Sequence, residues 1–177
     1  MKKTFYILGS LLLFTCIFNG CQPQVDIEAA EKAVIAVNEE ERDAFFAKDI
    51  IRLAEVWVQE PSSRRYFPSG KSLRVLNGWT EIKADYEEDF EAEWWDDYKD
   101  VKADFLNYVV SVNANSAVVY HDIHWTGMYL EEPFETNQNR IVYLVNHDDT
   151  WKISLIVQMT VPEEKEEVTE ETAEEVQ

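Results

Sequence analysis

Apolar and polar positions alternate most regularly in the last part of the chain. Residues 139–161 read NRIVYLVNHDDTWKISLIVQMTV, two apolar, β-branched runs on either side of His147-Asp148-Asp149-Thr150. That pattern predicts a β-hairpin. With Asp148-Asp149 as the turn, Asn146 pairs with Trp151, Leu144 with Ile153, Val142 with Leu155 and Arg140 with Val157. Side chains of a strand alternate between faces, so these residues share one face, apolar except for Arg140 and Asn146. The opposite face carries Asn139, Ile141, Tyr143, Val145, Lys152, Ser154, Ile156 and Gln158. One face therefore needs a cover of helices, and the other is free to meet water or a partner.

Further strand patterns precede the hairpin. Residues 104–112, 116–129 and 134–147 are separated by Asn113-Ala114-Asn115 and by Glu131-Glu132-Pro133. On 116–129, Val119, Ile123 and Trp125 share the more apolar face with His121, while Val118, Tyr120, Asp122, His124 and Thr126 share the other. Upstream the period changes to that of helices. Asp26 is placed to cap a helix over 27–47, with Ile27, Ala30, Val34, Val37, Ala44 and Phe45 inward. Asp49 is placed to cap a second over 50–58, with Leu53, Ala54 and Trp57 inward. Residues 60–70 read as loop with a short strand near Tyr66-Phe67, and Asn77-Gly78 as a turn. Thr80 is the expected cap of a third helix, 81–95, with Ile82, Tyr86, Phe90 and Trp94 inward and Glu81, Asp85, Glu87, Glu88, Asp89, Glu91 and Glu93 bounding that stripe. Helices first and an antiparallel meander afterwards predict an α+β fold.

The chain starts with Lys2-Lys3 and the apolar run 5–18, too short and too early for an ordinary membrane span. It leads into Phe18-Asn19-Gly20-Cys21, which resembles a bacterial lipoprotein signal. The resemblance implies cleavage of residues 1–20, lipid on Cys21 and a tether over 21–26; an ordinary secretory signal or an uncleaved anchor are the alternatives. A lipid holds the domain at a bilayer surface outside the cytoplasmic membrane, in the outer membrane or at the cell surface. Cys16 and Cys21 are the only cysteines, so the domain at 27–162 must rest on its apolar core rather than on disulfides. The net charge is −19, and a large share sits in residues 163–177, expected to be an acidic disordered tail. Such acidity argues against a nucleic-acid partner. No cofactor is implied, no calcium-loop spacing occurs, and no metal spacing of His with carboxylates is found.

The order of elements resembles the nuclear transport factor 2-like superfamily, in its SnoaL-like branch. The residues that carry the likeness are Ala44-Phe45 before Asp49 and Leu53-Ala54; Ser116-Ala117-Val118-Val119 after a turn; Thr126-Gly127; and Arg140 with Trp151-Lys152-Ile153. The implied fold is a cone, a strongly curved antiparallel sheet wrapped around the long first helix with two further helices and a pocket between. Many members end the last strand with His-x-Ser-x-Pro. This chain has Gln158-Met159-Thr160-Val161-Pro162, and Gln158 cannot shuttle a proton.

Three functions follow as expectations. The first is a lipid-anchored domain binding a small apolar or carboxylated molecule without catalysis, in a pocket lined by Trp57, Tyr66, Trp79, Tyr86, Phe90, Trp94 and Arg140. Arg140, on an apolar face, needs a helix acid or a ligand carboxylate. The second is an isomerase, cyclase or dehydratase with Asp122 and His124 as acid and base and Tyr86 or Tyr66 as hydrogen-bond donor. The third is a homodimer through the outer sheet face.

Overall fold

The computed structural model describes residues 26–69 and 72–161. The expected signal, Cys21 with its expected lipid, and the tail expected to be disordered lie outside the described residues. Asp26 starts the first helix, α1 (Ile27–Phe46), by accepting a hydrogen bond from the Ala29 amide at 3.1 Å. Its buried stripe runs Ala30, Val34, Asn38, Glu41, Ala44. Ile27, expected inward, is exposed in the first turn. Lys48, with φ 53°, turns the corner, and Asp49 caps α2 (Ile50–Val56) through the Ile51 and Arg52 amides. Trp57 follows α2 in extended backbone and is fully buried.

The short strand expected near Tyr66-Phe67 is β1 (Arg64–Ser69), and it pairs with a strand that was not expected, β2 (Ser72–Asn77). β2 escapes a pattern search because only Leu76 in it is buried. The third helix, α3 (Trp79–Glu91), begins two residues earlier than expected, with Gly78 rather than Thr80 at its N-cap. Gly78 sits at φ +82°, and an added Cβ would lie 3.2 Å from Pro61 Cα, so glycine suits both the backbone and the close approach. α3 stops at Glu91, and a 3-10 turn follows over Glu93–Asp97. Trp94 consequently leaves the helical stripe and is half exposed.

The meander is β3 (Tyr98–Val112), β4 (Ser116–Tyr129), β5 (Glu132–His147) and β6 (Thr150–Thr160), antiparallel throughout. Sheet order is β2-β1-β6-β5-β4-β3, with β1 lying parallel to β6 through Arg64, Arg65 and Tyr66. Among the described residues this makes a six-stranded, mixed, unclosed sheet, and the α+β architecture is the expected one. Two bulges bend β3, one between Lys99 and Lys102 and one between Leu106 and Val109. Asp100 and Asn107 stand in them with φ 53° and 54°, a backbone region that Asp and Asn tolerate better than most residues.

The C-terminal hairpin departs from its expected register halfway along. Asn146 faces Trp151 and Leu144 faces Ile153, but Tyr143 then pairs with Leu155, Val142 with Ile156 and Arg140 with Gln158. Ser154 is the extra residue of a bulge, which moves every later side chain of β6 to the other face. Ile156 is therefore fully buried and Gln158 faces inward, while Leu155 and Val157 face outward. The core lies between the three helices and the inner face of the sheet, around Val34, Leu53, Trp57, Ile82, Val142, Leu144, Ile153 and Ile156.

Candidate functional site

At the open end of the sheet the helices and strands diverge around a cavity of about 310 Å³. α1 contributes Phe45 and Phe46, β4 contributes Ile123 and Trp125, and β3 contributes Val101, Ala103 and Phe105. The 3-10 turn brings Trp95 and Trp94, stacked on each other at 4.5 Å between ring centroids. Gly127 permits this end to close. A Cβ there would lie 2.8 Å from the Phe134 ring and 3.1 Å from both Lys99 O and Val101 Cα.

The cavity floor is charged but internally neutralised. Glu41 accepts from Arg140 Nη1 at 2.7 Å, from Arg140 Nη2 at 3.3 Å and from the Tyr86 hydroxyl at 2.6 Å. Burial pushes the Glu41 carboxyl up, but the charge and hydrogen bonds of Arg140 and the bond from Tyr86 outweigh it, so its pKa is lowered overall. Arg65 donates to Asp85 at 2.9 Å and lies over the Tyr86 ring. Arg42 donates to Asp43 and lies over Phe105. Each arginine of the wall thus already has a carboxylate. Behind Arg140, His121 is fully buried against Phe105 and Tyr108. Burial first, then the charge of Arg140, push its imidazole down to about 4, which keeps it neutral at pH 7. Burial likewise pushes the Tyr108 hydroxyl up to about 12.

The structure separates the residues proposed from sequence. Arg140 and Trp94 line the cavity. Phe90 lines a smaller neighbouring recess beside Lys48. Trp57 and Trp79 pack together in the core, 6.3 Å between ring centroids. Tyr86 is buried with its hydroxyl on Glu41, so it is a core residue rather than a free donor. Tyr66 sits on the outer face of β1, paired with Val157. Asp85, one of the acids expected to bound the inward stripe of α3, is itself buried and bridges Arg65 and Arg74.

Asp122 and His124 stand on the face of β4 opposite to His121, Ile123 and Trp125, away from the cavity. Asp122 accepts from Asn107 at 2.7 Å, Tyr120 at 2.9 Å and Asn139 at 2.6 Å, and these hydrogen bonds lower its pKa. His124 lies 3.6 Å from the Glu135 carboxylate. The proposed acid–base pair is thus split from the pocket by the alternation of a single strand. Residues missed by pattern reading include Glu41, Trp95 and Gln138. Glu41 had a legible signal, since it falls on the apolar stripe four residues after Val37 and three before Ala44.

The overall architecture is shared with solved structures. A nuclear transport factor 2-like superfamily protein from Salmonella enterica serovar Typhimurium superposes with a TM-score of 0.64 at 14% identity, over 81% of this chain and 98% of that one. This chain has the nuclear transport factor 2-like fold. A protein named as a candidate dehydratase of this family, from Streptomyces avermitilis, gives 0.63 at 15% identity, covering 76% and 98%. The CaMKII hub of S. rosetta gives 0.62 at 17% identity, covering 74% and 96%. At such identities the likeness is one of fold, and the fold hosts unlike activities. No protein-family profile and no curated protein matches the sequence.

Proposed function

We propose that this nuclear transport factor 2-like domain is a binding module that holds a small, ring-bearing apolar molecule in its cavity without transforming it. The observation that carries the reading is an aromatic cavity of about 310 Å³ whose charged groups are paired with one another. A general base needs a carboxylate or imidazole free to take a proton at the ligand. Glu41 is held by Arg140 and Tyr86, His121 is neutral and buried behind the wall, and Asp122 and His124 face outward. Apolar walls with few polar groups are what small-ligand pockets share. The anchor is part of the proposal: lipid on Cys21 would hold the module at a membrane surface of the bacterial cell envelope.

The test is mass spectrometry of small molecules released when the purified protein is denatured, for the wild type and for Ala103→Trp. Ala103 lines the cavity, so the indole would fill space that already exists. An aromatic compound carried by the wild type and lost from the variant is expected. A wild type that carries nothing and binds no ring-bearing fragment would end the reading.

A second reading concerns assembly. Val109, Tyr120, Ile141, Val157, Tyr66 and Val75 form one continuous row across the outer face of all six strands. Val109 is 63% and Val75 39% exposed, and flanking Val118 and Leu106 widen the patch. A face of this kind supports a sheet-to-sheet homodimer. Sedimentation should show a dimer that Val109→Glu dissociates; a wild type that stays monomeric at micromolar concentration rules it out.

A further inference from the structure

The polar end of the cavity has a fixed hydrogen-bonding sense. Gln138 Oε1 accepts from Trp125 Nε1 at 2.9 Å and from Gln158 Nε2 at 2.5 Å. An indole N–H can only donate, so the atom of Gln138 that faces it is the oxygen. The atom of Gln158 that meets the same oxygen is then its amino group. Both amide orientations follow from one tryptophan. What remains is the amino group of Gln138, a donor, and the carbonyl oxygen of Gln158, an acceptor. Neither makes another side-chain hydrogen bond among the described residues, and both residues line the cavity.

We infer that the ligand presents an uncharged edge with an acceptor beside a donor, as in a carboxamide, a lactam or a cis-amide, attached to an apolar ring. The inference rests on the binding reading above and narrows it. A carboxylate is the poorer match for two reasons. It offers acceptors only, so one of them meets the Gln158 oxygen. Each cavity arginine is also already engaged by a carboxylate, Arg140 by Glu41, Arg42 by Asp43 and Arg65 by Asp85, which it shares with Arg74, so a buried ligand charge would find no free cation. The Ser154 bulge makes this selector possible, because without it Gln158 would face outward.

Calorimetric titration of the purified protein with 2-naphthamide, 2-naphthoate and naphthalene tests the idea. The amide should bind at least about tenfold more tightly than either of the others, a typical return for two hydrogen bonds. Gln158→Leu removes the acceptor, and Gln138→Glu removes the donors while keeping an oxygen for Trp125 and Gln158. Each variant should close most of the gap between the amide and naphthalene; circular dichroism checks that each is folded. Naphthoate binding as well as the amide, or variants that weaken all three probes equally, would overturn the inference while leaving the cavity reading standing. Failure of all three probes to bind would overturn both.

Discussion

Two carboxylates in this molecule each accept three side-chain hydrogen bonds, and they do opposite work. Glu41 takes two from Arg140 and one from Tyr86, fully buried under the cavity. Asp122 takes one each from Asn107, Tyr120 and Asn139 on the outer face of the sheet. The inner cluster sets a cation against the anion in a low-dielectric site. The outer one surrounds an anion with neutral donors near water. Hydrogen-bond count is thus a poor guide to importance. What decides is how much hydration each group gave up, and what its partner would do if left alone.

The widest gap between the two clusters should come from breaking one partner. Arg140→Met leaves Glu41 charged and buried with only Tyr86, and should cost about 3–5 kcal/mol in thermal or urea unfolding. Adding Glu41→Leu should restore part of the loss, because the stranded charge goes with it. A single variant no worse than the double would mean that the pair is hydrated and the comparison false.

Acid should act on the inner cluster next. His121 is held at about 4 against an ordinary 6.5. Between those values the unfolded chain binds a proton that the folded chain refuses, so stability falls as pH falls, by roughly 3 kcal/mol at pH 4. Glu41 adds to the loss at lower pH, since its stabilisation is present above its unfolded value and disappears as pH drops through the folded one. Unfolding midpoints from pH 7.5 to 4 should show this slope, and His121→Phe should flatten it; an unchanged slope would assign the effect elsewhere. The smallest effect belongs to the outer cluster. Asp122→Asn should shift stability by no more than about 1 kcal/mol, because water replaces what is lost. A larger penalty would show that this face is covered in solution, as a homodimer would cover it.

Much of the fold was legible because it obeys local rules. Asp26 and Asp49 cap the first two helices, the apolar stripe of α1 follows helical spacing, and the meander announces itself by alternation and turns. The misses lie where one residue changes the count. Gly78 displaced Thr80 as a cap because the chain needs positive φ against Pro61. β2 buries too little to alternate. Ser154 slips β6 by one residue and so reverses the faces of Leu155, Ile156, Val157 and Gln158. The candidate site was less legible than the fold. The aromatic supply was read from sequence, but most of the named rings, Trp57, Tyr66, Trp79 and Tyr86, went to the core or the outer face.

The sequence by itself determined an α+β chain with three helices ahead of a meander, a core free of disulfides, and an arginine on an apolar strand face that required an acid. Periodicity, caps and composition act over a few residues, and those are readable in one dimension. Only the tertiary structure decided that the acid is Glu41, 99 positions away from Arg140, and that Gln138 and Gln158 meet at the cavity wall, whereas the opposite faces of His121 and His124 already follow from strand alternation. Those pairings depend on bulges and crossing geometry summed over the whole sheet, and a shift of one residue in register is enough to send a side chain to the opposite face.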